Sequence, residues 1–357
     1  MTAHRETTRR LDLGGVRIGG GAPVSVQSMT NTNTADTEAT LEQIRRLKMA
    51  GCDIVRVAVP DKAAAAALPE IVAGAGLPVV ADIHFDYRLA LDALDAGCAG
   101  LRINPGNIGA VDRVKVVARE AERKGAVIRV GVNAGSLESA VLENGKATAT
   151  AMVRSAERHV ALLEDAGFES IKVSLKASDR QRTIDANRMW AASHDLPLHL
   201  GLTEAGTLLT GATRSAAVLG ELLGEGIGDT LRISLCADPV QEVFAGIELL
   251  RVMGLRKTGI RVIACPTCGR CADRFDVASL AGEIESKLAV IETTKSMTVA
   301  VMGCAVNGPG EARDADLGVA GGRSKALLFK RGEKIGAIEE GRVVETVLAE
   351  IEEMLFK

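Results

Sequence analysis

"AGLRINPGN" at residues 99–107, "VIRVGVNAGS" at 127–136 and "SIKVSLKAS" at 170–178 decide how this chain folds. Each is a short β-rich run that carries a basic residue and closes on small, turn-forming residues. Side chains alternate along a strand, so Arg102 shares a face with Asn104, Arg129 with Gly131 and Asn133, and Lys172 with Ser174 and Lys176. "DIVRVAV" at 53–59 and "DTLRISL" at 229–235 repeat the device with Arg56 and with Arg232 and Ser234. The recurrence of a cation on each of five strands, beside a polar neighbour, points to parallel strands whose inner faces share one interior.

Working outward, β-rich runs of four to six residues alternate with amphipathic stretches, the pattern of repeated βα units. Eight strands are predicted: Val24 to Met29, Ile54 to Val59, Val79 to Ile83, Gly100 to Ile103, Ile128 to Val132, Ser170 to Ser174, Leu198 to Thr203 and Thr230 to Leu235. Helical patterns such as "TEATLEQIRRLKMAG" and "RSAERHVALLEDAG" fall between them and end at Gly, as helix C-termini prefer. Eight such units over about 250 residues match a TIM barrel in number and length. An open doubly wound sheet is the alternative, but no G-x-G-x-x-G follows the first strand. In a barrel these cations converge at the C-terminal mouth and make an anion pocket, suited to a diphosphate that Arg grips bidentately. Glu204, in "LGLTEAG" after the seventh strand, is the best candidate for proton transfer there, with Asp82 and His84 also near the mouth.

After about residue 258 the rhythm changes to a smaller α/β unit, which divides the chain into a barrel domain at 1–255 and a second domain at 256–357. That second domain is predicted to run strand "IRVIAC", a helix from Val277 to Ile291, strand "MTVAVMGC", strands near Leu317 and Leu327, and a helix from Arg342 to Lys357. Its strand ends carry "CPTCGRC", with Cys265, Cys268 and Cys271, and "GCAVNGPGEA", with Cys304 and Glu311. Thiolates are soft ligands for zinc, copper(I) or iron-sulfur clusters, and a carboxylate beside them is a harder, more easily displaced donor. A structural zinc held by four thiols is the competing reading.

Composition narrows the rest. The chain has 357 residues, an apolar fraction of 47%, 2% aromatics and a net charge of -3, which suits an aliphatic core and gives nucleic acid no global attraction. No apolar window is long enough to span a membrane and the first residues lack a secretory signal, so a cytoplasmic protein is expected. Seven cysteines gathered mainly in one region fit metal or redox use better than disulfides, and Cys52, Cys98 and Cys236 are expected to be small buried residues.

Together "SVQSMTNT", "ADIHFDYRLAL", "LRINPGNIG", "RVGVNAGSL", "VSLKASD", "LGLTEAG", "CPTC" and "GCAVNGPGEA" resemble the family of 4-hydroxy-3-methylbut-2-en-1-yl diphosphate synthases, from about residue 10 to the C-terminus. The resemblance implies a TIM barrel followed by an α/β domain of the sulfite-reductase type with a [4Fe-4S] cluster, in the compact bacterial form. It implies cluster ligands Cys265, Cys268, Cys304 and Glu311, leaving Cys271 outside the set. It also implies that Arg56, Arg102, Arg129, Lys176 and Arg232, with Asn104, Asn133 and Ser234, hold the diphosphate, that Glu204 protonates a leaving hydroxyl, and that Asn307 reaches the substrate. The implied reaction opens 2-C-methyl-D-erythritol 2,4-cyclodiphosphate with two electrons from flavodoxin or ferredoxin. The family is dimeric, which implies an active site formed across subunits. The rival class is a redox-inert barrel enzyme acting on a phosphorylated substrate, with its thiols on structural zinc.

Overall fold

The computed structural model describes residues 3–108, 110–268, 271, 275–288, 291, 293, 295–304, 307–322 and 325–356. The chain divides into two compact units, Met1–Arg256 and Lys257–Lys357. In the first unit a hairpin of β1 (Leu11–Leu13) and β2 (Val16–Ile18) precedes eight parallel strands. These are β3 (Ser25–Met29), β4 (Ile54–Ala58), β5 (Val79–Asp82), β6 (Gly100–Ile103), β7 (Val127–Asn133), β8 (Ile171–Lys176), β9 (His199–Leu200) and β10 (Thr230–Leu231). Their order is β8-β7-β6-β5-β4-β3-β10-β9, and a parallel bridge from Val173 to Leu198 joins the two ends into a barrel.

Binary patterning explains why the barrel closes this way. Val55, Val57, Ala81, Leu101, Ile103, Val130, Val132, Val173 and Leu175 pack outward into the core shared with the surrounding helices. The helix Thr37–Met49 meets that core through Thr40, Gln43, Ile44 and Leu47, a 3.6-residue stripe. Aspartates start the helices: Asp36, Asp61, Asp86, Asp179 and Asp238 each accept a backbone N–H of the following turn. At the bottom, Leu11, Leu13 and Ile18 of the hairpin plug the barrel against Ile54, Val80 and Val127. Apolar side chains therefore fill the lower lumen, and the polar positions of each strand fall above them.

All eight predicted strands are present, but the last two are shorter than expected. β9 stops at Leu200 and β10 at Leu231, so Arg232 and Ser234 lie on an extended connection beyond the ladder. The backbone N–H of Leu235 is taken by the Glu242 carboxylate at 3.0 Å, which removes it from strand pairing. The hairpin at 11–18, two three-residue strands, escaped the sequence reading.

The second unit is a five-stranded sheet of β11 (Gly259–Ala264), β12 (Ser296–Met302), β13 (Leu317–Ala320), β14 (Ala326–Lys330) and β15 (Glu333–Ile338) in that order. The first three are parallel and the rest antiparallel. Helices Val277–Leu288 and Val343–Phe356 cover one face through Ile284, Leu288, Val347 and Ile351. The short helix Gly308–Asp314 packs Ala312 on the other, against Ala300, Met302 and Ala320. β15 and this short helix were not predicted, and Lys357 of the predicted terminal helix lies outside the described residues. Among the described residues no helix is long and apolar enough to cross a membrane.

Candidate functional site

Ladder register builds the polar layer of the barrel. Asp82 pairs with Arg102, Arg102 with Arg129, Arg129 with Lys172, and Asn133 with Lys176. Arg102, Arg129, Lys172 and Lys176 are all buried, although each carries a cation. Two glycines make room for them. A Cβ on Gly131 would stand 2.5 Å from Arg102 Nε, and one on Gly201 would stand 2.4 Å from Lys176 Nζ and 2.7 Å from the Arg232 carbonyl. At Gly201 the Arg232 backbone carbonyl leaves no room for a Cβ, whereas a Cβ at Gly131 would push the Arg102 guanidinium out of its place.

Two buried carboxylates anchor the layer. Asp82 accepts from Arg102 Nη1 at 3.3 Å and lies 3.8 Å from Arg56 Nε and 3.6 Å from His84 Nε2. Burial raises its carboxyl, but Arg56, His84 and Arg102 outweigh burial and hold it well below the usual carboxylate range. Glu242, from the helix Pro239–Val252, takes both Nε and Nη2 of Arg232 at 3.0 Å and accepts from Ser28 Oγ at 3.0 Å. The sulfur of Met29 fills the gap between Arg56 Nη2, at 2.9 Å, and Arg232 Nη1, at 3.5 Å.

Positive charge exceeds what these two acids neutralise. Burial, then the Coulomb field of Arg56 and Arg102, pushes Arg129 well below the ordinary guanidinium value, and burial followed by Arg129, Arg56, Arg232 and Arg102 does the same to Lys176. Arg56, fully inside that field, falls to about 10 through burial. Arg129 bonds Ser174 Oγ at 2.7 Å through Nη1, while its Nε and Nη2, like Arg102 Nε and Asn104 Oδ1, are buried without a partner among the described residues. The unpartnered guanidinium N–H groups of Arg102 and Arg129 suit a site completed by an anion, whereas the Asn104 oxygen can only accept.

The structure thus brings together Arg56, Arg102, Arg129, Lys176 and Arg232, with Asn104 buried beside them and Asn133 and Ser234 half-buried on the neighbouring segments. Glu204 stands apart. It is exposed on the connection after β9, and among the described residues no hydrogen bond or ion pair joins its carboxylate to the lumen cations. Its φ of 53° is left-handed, a strained conformation for a residue other than glycine that recurs at functional positions. Glu242 and Met29 were missed by the sequence reading. An acid in the first turn of a helix reads as a dipole partner, and nothing in the sequence says that this one points inward.

In the second unit both thiol motifs leave the same ends of the parallel strands β11 and β12, where Ala264 pairs with Val301. Cys265 follows β11, and Gly303 and Cys304 follow β12. Gly303 N donates to Cys265 Sγ at 3.2 Å, and Cys271 N to the Cys268 carbonyl at 2.9 Å. Thr267 turns between the first two thiols with φ 45°, an outlier for a β-branched residue. The short helix then brings Glu311 to the same place. Cys265, Cys268, Cys271, Cys304, Asn307 and Glu311 line one cavity of about 370 Å³. Among the described residues no group of three or more His, Cys, Asp or Glu side chains is drawn together to hold a single metal ion. Soft sulfur donors beside one oxygen are a set that suits an iron-sulfur cluster. Of the remaining thiols, Cys52 and Cys98 are buried and burial pushes both up to about 12. Cys236 is exposed, contrary to expectation, because β10 ends at Leu231 and leaves it on the following connection.

The description "GcpE TIM-barrel domain" matches residues 8–247, and "GcpE protein C-terminal domain" matches 261–353. A protein of Geobacter sulfurreducens named 4-hydroxy-3-methylbut-2-en-1-yl diphosphate synthase (flavodoxin) is 53% identical over 98% of this chain and 98% of its own length. Proteins of the same name from Clostridium acetobutylicum, 51% identical over 98% of this chain and 99% of theirs, and Nitratidesulfovibrio vulgaris, 54% identical over 96% and 88%, match comparably. Among solved structures, the dihydropteroate synthase of Yersinia pestis covers 69% of this chain and 97% of its own with a TM-score of 0.52 at 11% identity, a likeness of fold alone.

Proposed function

Since this chain belongs to the GcpE family, we infer that its barrel binds a cyclic diphosphate and its second unit holds a [4Fe-4S] cluster. The enzyme forms 4-hydroxy-3-methylbut-2-en-1-yl diphosphate, the reaction for which its relatives are named. The observation that carries the finer reading is the gathering of Cys265, Cys268, Cys304 and Glu311 on one cavity. A structural zinc needs four closed ligands and no exchangeable carboxylate.

In this reading Arg56, Arg102, Arg129, Lys176 and Arg232 grip the two phosphates of 2-C-methyl-D-erythritol 2,4-cyclodiphosphate. Their guanidiniums are already oriented by Asp82, Glu242 and Ser174, so little side-chain freedom is lost on binding. Asn104, Asn133 and Ser234 supply neutral donors and acceptors, which set orientation without adding charge. Cys265, Cys268, Cys304 and Glu311 hold the cluster, which when bound supplies electrons singly and an iron with a displaceable oxygen ligand. Glu204 donates the proton that turns the departing hydroxyl into water, and Asn307 orients the substrate from the cavity edge. Flavodoxin serves as electron donor, and the working form is a homodimer, which sedimentation would test.

Anaerobic purification with iron, sulfide and zinc analysis tests this reading. About four irons and four sulfides per chain with a broad brown absorbance are expected, followed by reductive opening of the cyclodiphosphate. Stoichiometric zinc in a colourless protein would overturn the cluster and leave phosphosugar chemistry in the barrel.

A further inference from the structure

Beneath the binding cations the lumen holds a lysine that the diphosphate set does not use. β8 turns Ile171, Val173 and Leu175 outward into the core and Lys172, Ser174 and Lys176 inward. Lys172 is the lowest of the three, 1% exposed, and its ammonium nitrogen is buried with no hydrogen-bond partner among the described residues. The groups that act on it come from all sides of the barrel: Arg129 directly across on β7, Arg56 on β4, and Asp229 just before β10. His199 on β9 lies within the same field; its Nε2 is also buried without a partner among the described residues, while Nδ1 meets Thr230 Oγ1 at 2.7 Å. The one carboxylate among these groups is already engaged, for Asp229 accepts from Thr8 Oγ1 and from Leu198 N, both at 2.8 Å. Burial first, and then the two arginines, lower the ammonium to about 7.

The reaction changes the charge that this layer must balance. A cyclodiphosphate has one ionised oxygen on each phosphorus. When the bond between carbon 2 and its ester oxygen breaks, that oxygen stays on phosphorus and the terminal phosphate carries two. The substrate dianion, two electrons and one proton thus give the product trianion and water. The barrel must accept three negative charges where it first held two.

Resting on the diphosphate reading above, we propose that Lys172 is the charge-compensating residue of this barrel, mostly neutral in the free enzyme near pH 8 and protonated from solvent when a diphosphate occupies the cations above it. The proton returns to solvent when the product leaves, so Lys172 does not enter the stoichiometry of the reaction. It touches no reacting atom and acts as a positioning residue through the field it adds. The direction follows from linkage: an anion raises the affinity of a nearby lysine for its proton, so binding and proton uptake favour one another.

Calorimetric titration of the cluster-loaded enzyme with inorganic pyrophosphate, in buffers of different ionisation enthalpy, measures the protons taken up. Near pH 8 the wild type is expected to take up more than Lys172→Met by up to about one proton, and the difference should fade below about pH 6, where Lys172 is already charged in the free enzyme. Lys172→Arg, charged throughout, should bind pyrophosphate and also lack the extra proton; it carries the test should the Met variant not fold. Equal proton uptake in wild type and variants overturns the proposal while leaving the diphosphate site standing. Absence of pyrophosphate binding to the wild type overturns the site itself, and this inference with it.

Discussion

In the barrel, Arg56, Asp82, Arg102, Arg129 and Lys176 leave from regular strand positions, and neighbours are fixed by register: Asp82 against Arg102, Arg102 against Arg129, Arg129 against Lys172. In the second unit they leave from the connections after β11 and β12 and from a seven-residue helix, with the turn at Thr267 in a left-handed conformation. The first arrangement is a charged surface set by the backbone before any ligand arrives. The second places donors around a cavity whose final geometry a cluster would impose. The barrel should therefore tolerate loss of its ligand, whereas the second unit should lose its function when one donor goes.

The sharpest break of that contrast is Cys304→Ser. Cys304 is a buried donor on the cavity, and its replacement should remove the cluster and reduce turnover to background. Pyrophosphate binding by the barrel should persist. Iron and sulfide analysis beside calorimetry reads both halves, and an active Cys304→Ser enzyme would sink the ligand assignment. Next in size, Glu204→Gln should retain full iron and lose about 10²- to 10⁴-fold in kcat, the usual contribution of a general acid. A loss of iron with it would make Glu204 structural.

Asp82→Asn tests how firmly the barrel is preset. Removing the carboxylate leaves Arg56 and Arg102 buried with one anchor fewer, which should destabilise the protein by about 3 kcal/mol in chemical denaturation. The same carboxyl predicts a pH dependence. Its folded value lies below the roughly 3.9 of an unfolded aspartate, so its stabilisation is complete above about pH 4 and is lost as the pH falls further. The variant should lack that acid limb. Identical acid unfolding in wild type and variant would show that the anchor contributes nothing.

The same contrast explains what could be read in advance. Alternation along "VIRVGVNAGS" and "SIKVSLKAS" showed which side chains share a face, and the ladder placed those faces in one lumen as expected. Period-two patterning is a local property, so it survives translation into structure. Glu242 and Met29 reach the same lumen from a helix start and a neighbouring strand, and that meeting depends on tertiary packing. The exposure of Glu204 was illegible for a related reason: β9 is only two residues long, and the connection after it follows no period. The hairpin plug was missed because three-residue strands are too short to carry a pattern.

The smallest expected effect concerns Cys271, which separates a thiol that lines the cavity from one that ligates. It borders the same volume as the four assigned donors, and a Cβ on Gly303 would come within 2.5 Å of its sulfur. Burial, followed by Cys265, raises its thiol, which disfavours the thiolate that metal binding needs. A bound iron would reverse that order, so proximity alone does not decide between the two roles. In the proposed reading Cys265, Cys268, Cys304 and Glu311 would hold the cluster and Cys271 would stand outside that set, leaving one oxygen donor that can exchange. Cys271→Ser should accordingly keep about four irons per chain and most of its turnover. If Cys271→Ser lost the cluster while Glu311→Gln kept it, the fourth ligand would be sulfur, and the opening toward substrate would have to be sought elsewhere in the cavity.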